Sequence, residues 1–141
     1  MAYSNLATDY IAAGEPTKAI ELLTSAIRLD PRQVRDHILA NMGRAQFMVG
    51  DDAAAVEWLL KAVDLNLGYT DLHAYLAMSY ARKGNDVRAR AAVAALLRAK
   101  PKFSLSKFDT PEPGYPVAYR EFWATKLLPA AGFATTVTVV P

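Results

Sequence analysis

A glycine recurs at a nearly fixed interval in the first two thirds of this chain. Gly14, Gly50 and Gly84 are separated by 36 and then 34 residues. Each lies about five residues before an alanine that opens a helical apolar pattern. Self-similarity at a fixed period in this range is the signature of a repeat array, in which each unit stacks on the next. We therefore expect three copies of one helical unit.

Each copy contains two helical stretches, one on either side of its glycine. After the glycine, apolar residues follow the alanine at i+4 and i+7, as on one face of a helix. The stretch before the glycine contains a small residue, where we expect the paired helices to approach most closely. The opening alanines are Ala19, Ala55 and Ala89, and the small residues are Ala7, Gly43 and Ala77.

The ends of the units are also marked in the sequence. Pro31 and Pro101 close the first and third units, because proline lacks the amide that a continuing helix needs. The middle unit ends instead at Asn66-Leu67-Gly68, where glycine can stop the helix. Its two extra residues fall between Pro31 and Leu39, so we place them in the loop between the first two units.

These features resemble the tetratricopeptide repeat (TPR) family, whose helix-turn-helix unit has about 34 residues. The resemblance covers about residues 2–101 and implies an all-α fold, a right-handed α-α superhelix. It places three helix pairs at 2–33, 34–68 and 69–101, in a repeat domain at 1–101. The middle unit departs from the pattern at Gln46 and Leu67, where tyrosine and proline are usual. The matching residues are Tyr3, Leu6, Ala7, Tyr10, Ala19, Leu23, Ala26 and Pro31 in the first unit, with Leu76, Ala77, Tyr80, Ala89 and Pro101 in the third.

The family resemblance implies a concave wall, built by the first helix of each pair, that binds a peptide or partner helix. The alternative for the apolar members is that they pack against the neighbouring unit. Asn41 matches a carboxylate-gripping subclass, but the other positions do not, so we do not expect a chaperone-tail clamp. From helical phase the groove candidates are Asn5, Thr8, Ile11, His37, Asn41, Arg44, Phe47, Tyr75, Met78 and Arg82.

No catalytic constellation is evident, so we expect no enzymatic activity, no cofactor and no metal. The two imidazoles, His37 and His73, fall in different units, whereas a metal site needs three or four ligands. Asp51 and Asp52 directly follow Gly50, where acids cap a helix start and complement its dipole. No phosphate-binding glycine loop or nucleophile elbow occurs.

Composition sets the class of protein. Hydrophobic residues make up 52% of the 141 positions and charged residues 21%, which is globular usage. Cysteine is absent, which excludes disulfides and thiol chemistry. The first residues carry no secretory signal, and no uncharged stretch is long enough to span a bilayer. We expect a cytoplasmic protein without a membrane segment.

Charge is unevenly distributed along the chain, although the net charge is only +2. Residues 1–81 carry six basic and ten acidic side chains, whereas 82–107 carry eight basic residues against Asp86 alone. The simple interpretation is a solvated outer face. The alternative is that the basic third unit binds nucleic acid or an acidic surface, although the aromatic stacking series of RNA readers is missing.

The final 40 residues do not repeat. We expect a loop at 102–115, a helix at 116–130 and a flexible tail at 131–141. The helix has an apolar stripe, so we predict that it caps the open end of the array. The alternative is that the stripe or the tail joins a second copy into a homodimer. The stripe consists of Tyr119, Phe122, Trp123 and Leu127.

Residues 96–132 also resemble the closing segment of TPR regions that follow the catalytic domain in some bacterial class III adenylate/guanylate cyclases. The resemblance rests on LLRAKPKFSLSKF and on the Tyr-Arg-Glu-Phe-Trp run at 119–123. It ends after Gly132, and the cyclase catalytic residues are absent. It implies that the chain is the regulatory end of a larger signalling protein or a free-standing relative.

Overall fold

A computed structural model describes residues 2–33, 36–65 and 71–99 of the chain. These residues form six α-helices and one short 3₁₀ turn, which confirms the predicted all-α class. The helices are α1 (Ala2–Ala12), α2 (Pro16–Leu29), α3 (Asp36–Met48), α4 (Asp52–Asp64), α5 (Asp71–Arg82) and α6 (Asp86–Ala99), and the 3₁₀ turn is Pro31–Gln33.

The six helices form three antiparallel pairs in chain order, α1 with α2, α3 with α4 and α5 with α6. Successive pairs stack on one another, and α3 contacts α1 and α2 on one side and α5 on the other. The middle pair is therefore enclosed by its neighbours. This is the stacked helix-pair architecture that the repeat period predicts.

The three repeated glycines form the turn inside each pair. Their φ angles are +76°, +90° and +79°, in the left-handed region that favours glycine. In the middle turn the Gly50 amide donates to the Phe47 carbonyl and the Asp51 amide donates to the Gln46 carbonyl. The other two turns repeat this pairing, which satisfies the last carbonyls of each first helix. The glycines recur because the same helix end is built three times.

The helix boundaries follow the expected capping residues. The Asp51 carboxylate accepts a hydrogen bond from the Ala54 amide at 3.1 Å, which confirms its prediction as an N-terminal cap of α4. Helix α2 starts at Pro16, where the missing amide costs nothing. It ends at Leu29, two residues before Pro31. Asn66-Leu67-Gly68 and Pro101 lie outside the described residues.

The paired helices approach most closely at the predicted small residues. A Cβ atom built on Gly43 would lie 2.5 Å from the Leu59 side chain, too near for any larger residue without a shift. Ala7 and Ala77, at the same position in the other pairs, are fully buried. The small side chains let the helix backbones approach.

The core consists of two clusters of buried side chains. One cluster joins the first and second pairs and includes Ile11, Leu23 and Met42. The other joins the second and third pairs. Trp58 and Met48 pack against both clusters, so the core continues through the middle pair. The predicted loop 102–115, capping helix 116–130 and tail 131–141 lie outside the described residues.

Candidate partner-binding groove

The first helices of the first two pairs carry polar side chains at the predicted groove positions. Asn5 and Thr8 on α1 are exposed, as is His37 at the start of α3. Arg44 is half-buried, and Asn41 is 3% exposed. All five belong to the first helices of their pairs, where the family resemblance places a binding surface.

A hydrogen-bonded series joins three of these side chains. The Asn41 Nδ2 donates to the Thr8 Oγ1 at 3.1 Å, and the Arg44 Nη1 donates to the Asn41 Oδ1 at 2.9 Å. The Asn41 amide therefore bridges α1 and α3, and its oxygen restrains the Arg44 guanidinium. Buried polar groups are stable only when bonded in this way. The series explains why an asparagine lies in an otherwise apolar interface.

The apolar groove candidates are buried instead of lining an open surface. Ile11 is 4% exposed, Phe47 is 1% exposed, and Met78 is fully buried. This placement favours the alternative, in which these side chains pack within and between units.

Tyr75 differs most from its predicted position on the exposed wall. Its side chain is fully buried, and its ring lies 5.3 Å from that of Phe47 in an edge-to-face arrangement. Such aromatic pairs stabilise a core beyond their buried area. Helical phase could not show that the preceding pair covers this position.

Arg82 lies at the turn end of the array, where it joins the second and third pairs. Its Nη2 donates to the Phe47 carbonyl at 2.7 Å and to Asp52 Oδ1 at 2.5 Å. Its Nε lies 2.9 Å from the same carboxylate oxygen, and the guanidinium lies 3.9 Å from the centre of the Phe47 ring. Arg82 is therefore held by the preceding unit, and its charge is paired with that of Asp52.

The partner of Arg82 was missed by sequence reasoning. Asp52 was predicted to complement the dipole at the start of α4, and it lies there. It also forms the ion pair with Arg82, 30 residues later. That separation is close to one repeat, which brings the start of one second helix beside the end of the next first helix.

The two histidines lie in separate environments. His37 is exposed on α3, whereas His73 is half-buried on α5. Burial lowers the pKa of His73, and the nearby Arg98 charge lowers this pKa further. No group of three potential metal ligands occurs among the described side chains.

The basic residues of the third unit are spread over its surface. Arg88 lies 6.0 Å from the centre of the Tyr80 ring, and Arg90 donates to the Asp86 carbonyl at 3.4 Å. Arg98 lies near His73, and Lys83 is exposed at the turn. Lys100, Lys102 and Lys107 lie outside the described residues. With Arg82 tied to Asp52, the described part of this unit does not present one continuous basic stripe.

Comparison with known proteins yields a match in structure and none in sequence families. No family model matches the chain, and no curated protein matches it. Among solved structures, the crystal structure of the MamA protein superimposes with a TM-score of 0.66 and 26% sequence identity. The fold is similar to that of MamA, a TPR protein. The match covers 92% of this chain and 69% of the MamA chain.

The MamA match supports the helix-pair resemblance but not the cyclase resemblance. Residues 96–132 are mostly outside the described ranges, and neither sequence comparison links them to a cyclase. No helix in the described part of the chain is long and apolar enough to cross a membrane.

Proposed function

We propose that the chain is a non-catalytic protein-protein interaction module that binds a peptide or partner helix along the inner wall of its first two pairs. The observation that carries this proposal is the series of Thr8, Asn41 and Arg44, which fixes polar groups of two consecutive first helices on one wall. The similarity to MamA supports the broader role of a protein-binding scaffold.

The series favours binding because it arranges the wall before a partner arrives. A restrained side chain loses less conformational entropy on association than one that must be ordered by the ligand. The Asn41 oxygen restrains Arg44 in the free protein. Arginine is also among the residue types that contribute most to interface energies.

The chemistry of the wall indicates the kind of segment it would bind. Asn5 and Thr8 offer neutral hydrogen-bonding groups, and Arg44 supplies a positive charge that is only half-buried. A carboxylate is the natural partner of a guanidinium, since the two form charge-assisted hydrogen bonds. The partner on this proposal carries an acidic side chain opposite Arg44 and polar groups opposite α1.

A selection from a displayed peptide library tests the proposal. Peptides enriched by the full chain are titrated by fluorescence anisotropy against the wild type and Arg44→Glu. The charge reversal weakens binding by about tenfold or more, because attraction is replaced by repulsion. Arg90→Glu is the matched control, since Arg90 is exposed on α6 and gives the same change in net charge. The Arg90→Glu variant should bind the peptides with the wild-type affinity.

Two results would count against the groove. One is the absence of any enriched peptide, and the other is equal binding by the wild type and a folded Arg44→Glu variant. The alternative, nucleic-acid or acidic-surface binding by the third unit, is checked separately with single-stranded RNA at two salt concentrations. Strong binding that falls steeply with salt would favour that alternative.

A further inference from the structure

The junction between the second and third pairs is held by four side chains, which we call the Arg82 cluster: Phe47, Asp52, Tyr75 and Arg82. The Arg82 guanidinium pairs with the Asp52 carboxylate and donates to the Phe47 carbonyl. It also lies 3.9 Å from the centre of the Phe47 ring, and the Tyr75 ring packs edge-to-face against that same ring. Helix α5 therefore contacts Phe47 of α3 through two side chains that are about two turns apart.

The contacts of the Arg82 cluster depend on direction, so they fix the angle between the two pairs. Hydrogen bonds between a guanidinium and a carboxylate form only within a narrow range of distances and angles. Both Nε and Nη2 of Arg82 donate to the Asp52 carboxylate. An edge-to-face ring pair also has a preferred geometry. A change of angle between the second and third pairs would weaken several of these contacts together.

The first junction has different residues at all four equivalent positions, which are those at the same distance from the turn glycine. The equivalents of Phe47, Asp52, Tyr75 and Arg82 are, in that order, Ile11, Pro16, Asn41 and Met48. None of the four residues of the first junction has a charged or aromatic side chain. At these positions the first junction therefore forms neither the ion pair nor the ring contacts of the Arg82 cluster.

Apolar packing stands at the first junction where the second has its ion pair. Ile11 is buried in the core cluster that joins the first two pairs, and Met48 packs against this cluster. Apolar burial is non-directional, and the unbranched side chain of methionine adapts to its surroundings. The hydrogen bond from Asn41 to Thr8 also crosses this junction, but a bond between neutral groups is weaker than a charge-assisted one. These contacts tolerate a change of angle better than the Arg82 cluster does.

The large buried side chains are also distributed unequally between the two junctions. Of the seven largest fully buried side chains in the described part of the chain, six belong to the core cluster of the second and third pairs. The seventh, Leu23, belongs to the cluster of the first and second pairs. Because hydrophobic stabilisation increases with the buried apolar area, the second and third pairs are held together more strongly.

We infer that the array bends at its first junction. The second and third pairs move as one rigid body, and the first pair changes its angle relative to them. Thr8 and Arg44 lie on opposite sides of this junction, so the angle sets the separation between the polar groups of α1 and those of α3. The bond from Arg44 to Asn41 lies within α3 and is kept. The inference goes beyond the proposed function, because it describes the free chain and holds whatever the wall binds.

Distances between two spin labels measure each junction at equivalent positions. Glu21, Glu57 and Ala91 are exposed at the same position of α2, α4 and α6. The chain has no cysteine, so two of these residues at a time are replaced by cysteine and labelled in the full chain. Labels at 21 and 57 span the first junction, and labels at 57 and 91 span the second. Double electron-electron resonance gives the distribution of each distance.

The distribution across the first junction should be about twice as wide as that across the second, because hinge motion adds to the spread of the label itself. The label contributes a similar spread in both cases, since the labelled positions are equivalent and exposed. This comparison leaves the core of the protein unaltered. Equal widths at the two junctions would overturn the inference.

Two core variants test whether the Arg82 cluster is the cause. Arg82→Met gives the second junction the residue of the first, and it should widen the 57–91 distribution while leaving the 21–57 distribution unchanged. The double variant Pro16→Asp, Met48→Arg places an ion pair at the first junction and should narrow the 21–57 distribution. Its control, Pro16→Asn with Met48→Gln, carries no charge and should keep the wild-type width.

Circular dichroism shows whether each core variant is folded. A folded Arg82→Met variant with an unchanged 57–91 width would also count against the inference. Should this variant unfold, the comparison of the two widths in the wild-type core decides.

Discussion

The first and third helix pairs share one architecture but differ in what their inner walls present. The turns of both are closed by a left-handed glycine, and both bury an alanine where the paired helices meet. On the wall, Asn5 and Thr8 of the first pair are exposed, while Tyr75 and Met78 of the third pair are fully buried. The repeat therefore gives the two pairs the same backbone structure. The residues at these two positions differ, and they are exposed in the first pair and part of the core in the third.

The largest expected effect comes from truncating the wall residue of the third pair. Tyr75→Ala removes a fully buried ring that packs on Phe47, so we expect a loss of about 3–5 kcal/mol in the free energy of unfolding. Asn5→Ala, at the equivalent exposed position, stays within about 0.5 kcal/mol of the wild type. Urea unfolding followed by circular dichroism measures both. Similar losses of unfolding free energy in the two variants would show that positions 5 and 75 do not differ in burial.

The second largest expected effect on stability comes from the ion pair of Arg82. It distinguishes the junction between the second and third pairs from the junction between the first and second. Arg82→Ala removes charge-assisted hydrogen bonds to Asp52 and Phe47, so we expect a loss of about 1.5–3 kcal/mol in the free energy of unfolding. At the corresponding positions the first junction has Pro16 and Met48, which cannot form such a pair. The neighbouring Lys83→Ala serves as control and leaves the urea midpoint nearly unchanged. Equal midpoints for the two variants would mean that the pair contributes nothing.

The pairs share their glycine turns, so the same substitution at each turn should lower the free energy of unfolding by a similar amount. Gly14→Ala and Gly84→Ala each force a side chain into the left-handed region, at about 1–2 kcal/mol. No atom lies within 4 Å of the added Cβ at either site, so the cost is conformational and not steric. Thermal melting compares the two variants. A loss at only one turn would show that the pairs do not use their glycines equivalently.

The smallest effect concerns pH and is confined to the third pair. Burial and Arg98 lower the pKa of His73 in the folded chain, so the unfolded chain binds more protons. Stability from this group is present above the unfolded pKa of about 6.5 and is lost as the pH falls from there towards the folded pKa. Unfolding midpoints between pH 7 and 5 should fall further for the wild type than for His73→Gln. Parallel curves would contradict this assignment.

The sequence predicted the parts of this molecule that depend on local chemistry. The recurring glycines, the cap at Asp51 and the small residue Gly43 were all assigned correctly, because each depends on backbone geometry within one pair. The position of Tyr75 and the partner of Arg82 could not be obtained in this way. Both depend on how one pair sits on the next, which helical phase does not specify. The bridging role of Asn41 was missed for the same reason.

The difference in exposure between the first and third pairs is tested most directly by comparing thiol reactivity at equivalent positions of the full chain. Single-cysteine variants Thr8→Cys and Met78→Cys are made in a sequence that has no other thiol, and their reaction with a maleimide is followed at one pH. We expect the thiol at position 8 to react at nearly the rate of a free thiol, because this position is exposed. The position in the third pair should react only after local opening, and therefore far more slowly. Equal, rapid reaction at both positions would contradict the difference in exposure between position 8 of the first pair and position 78 of the third.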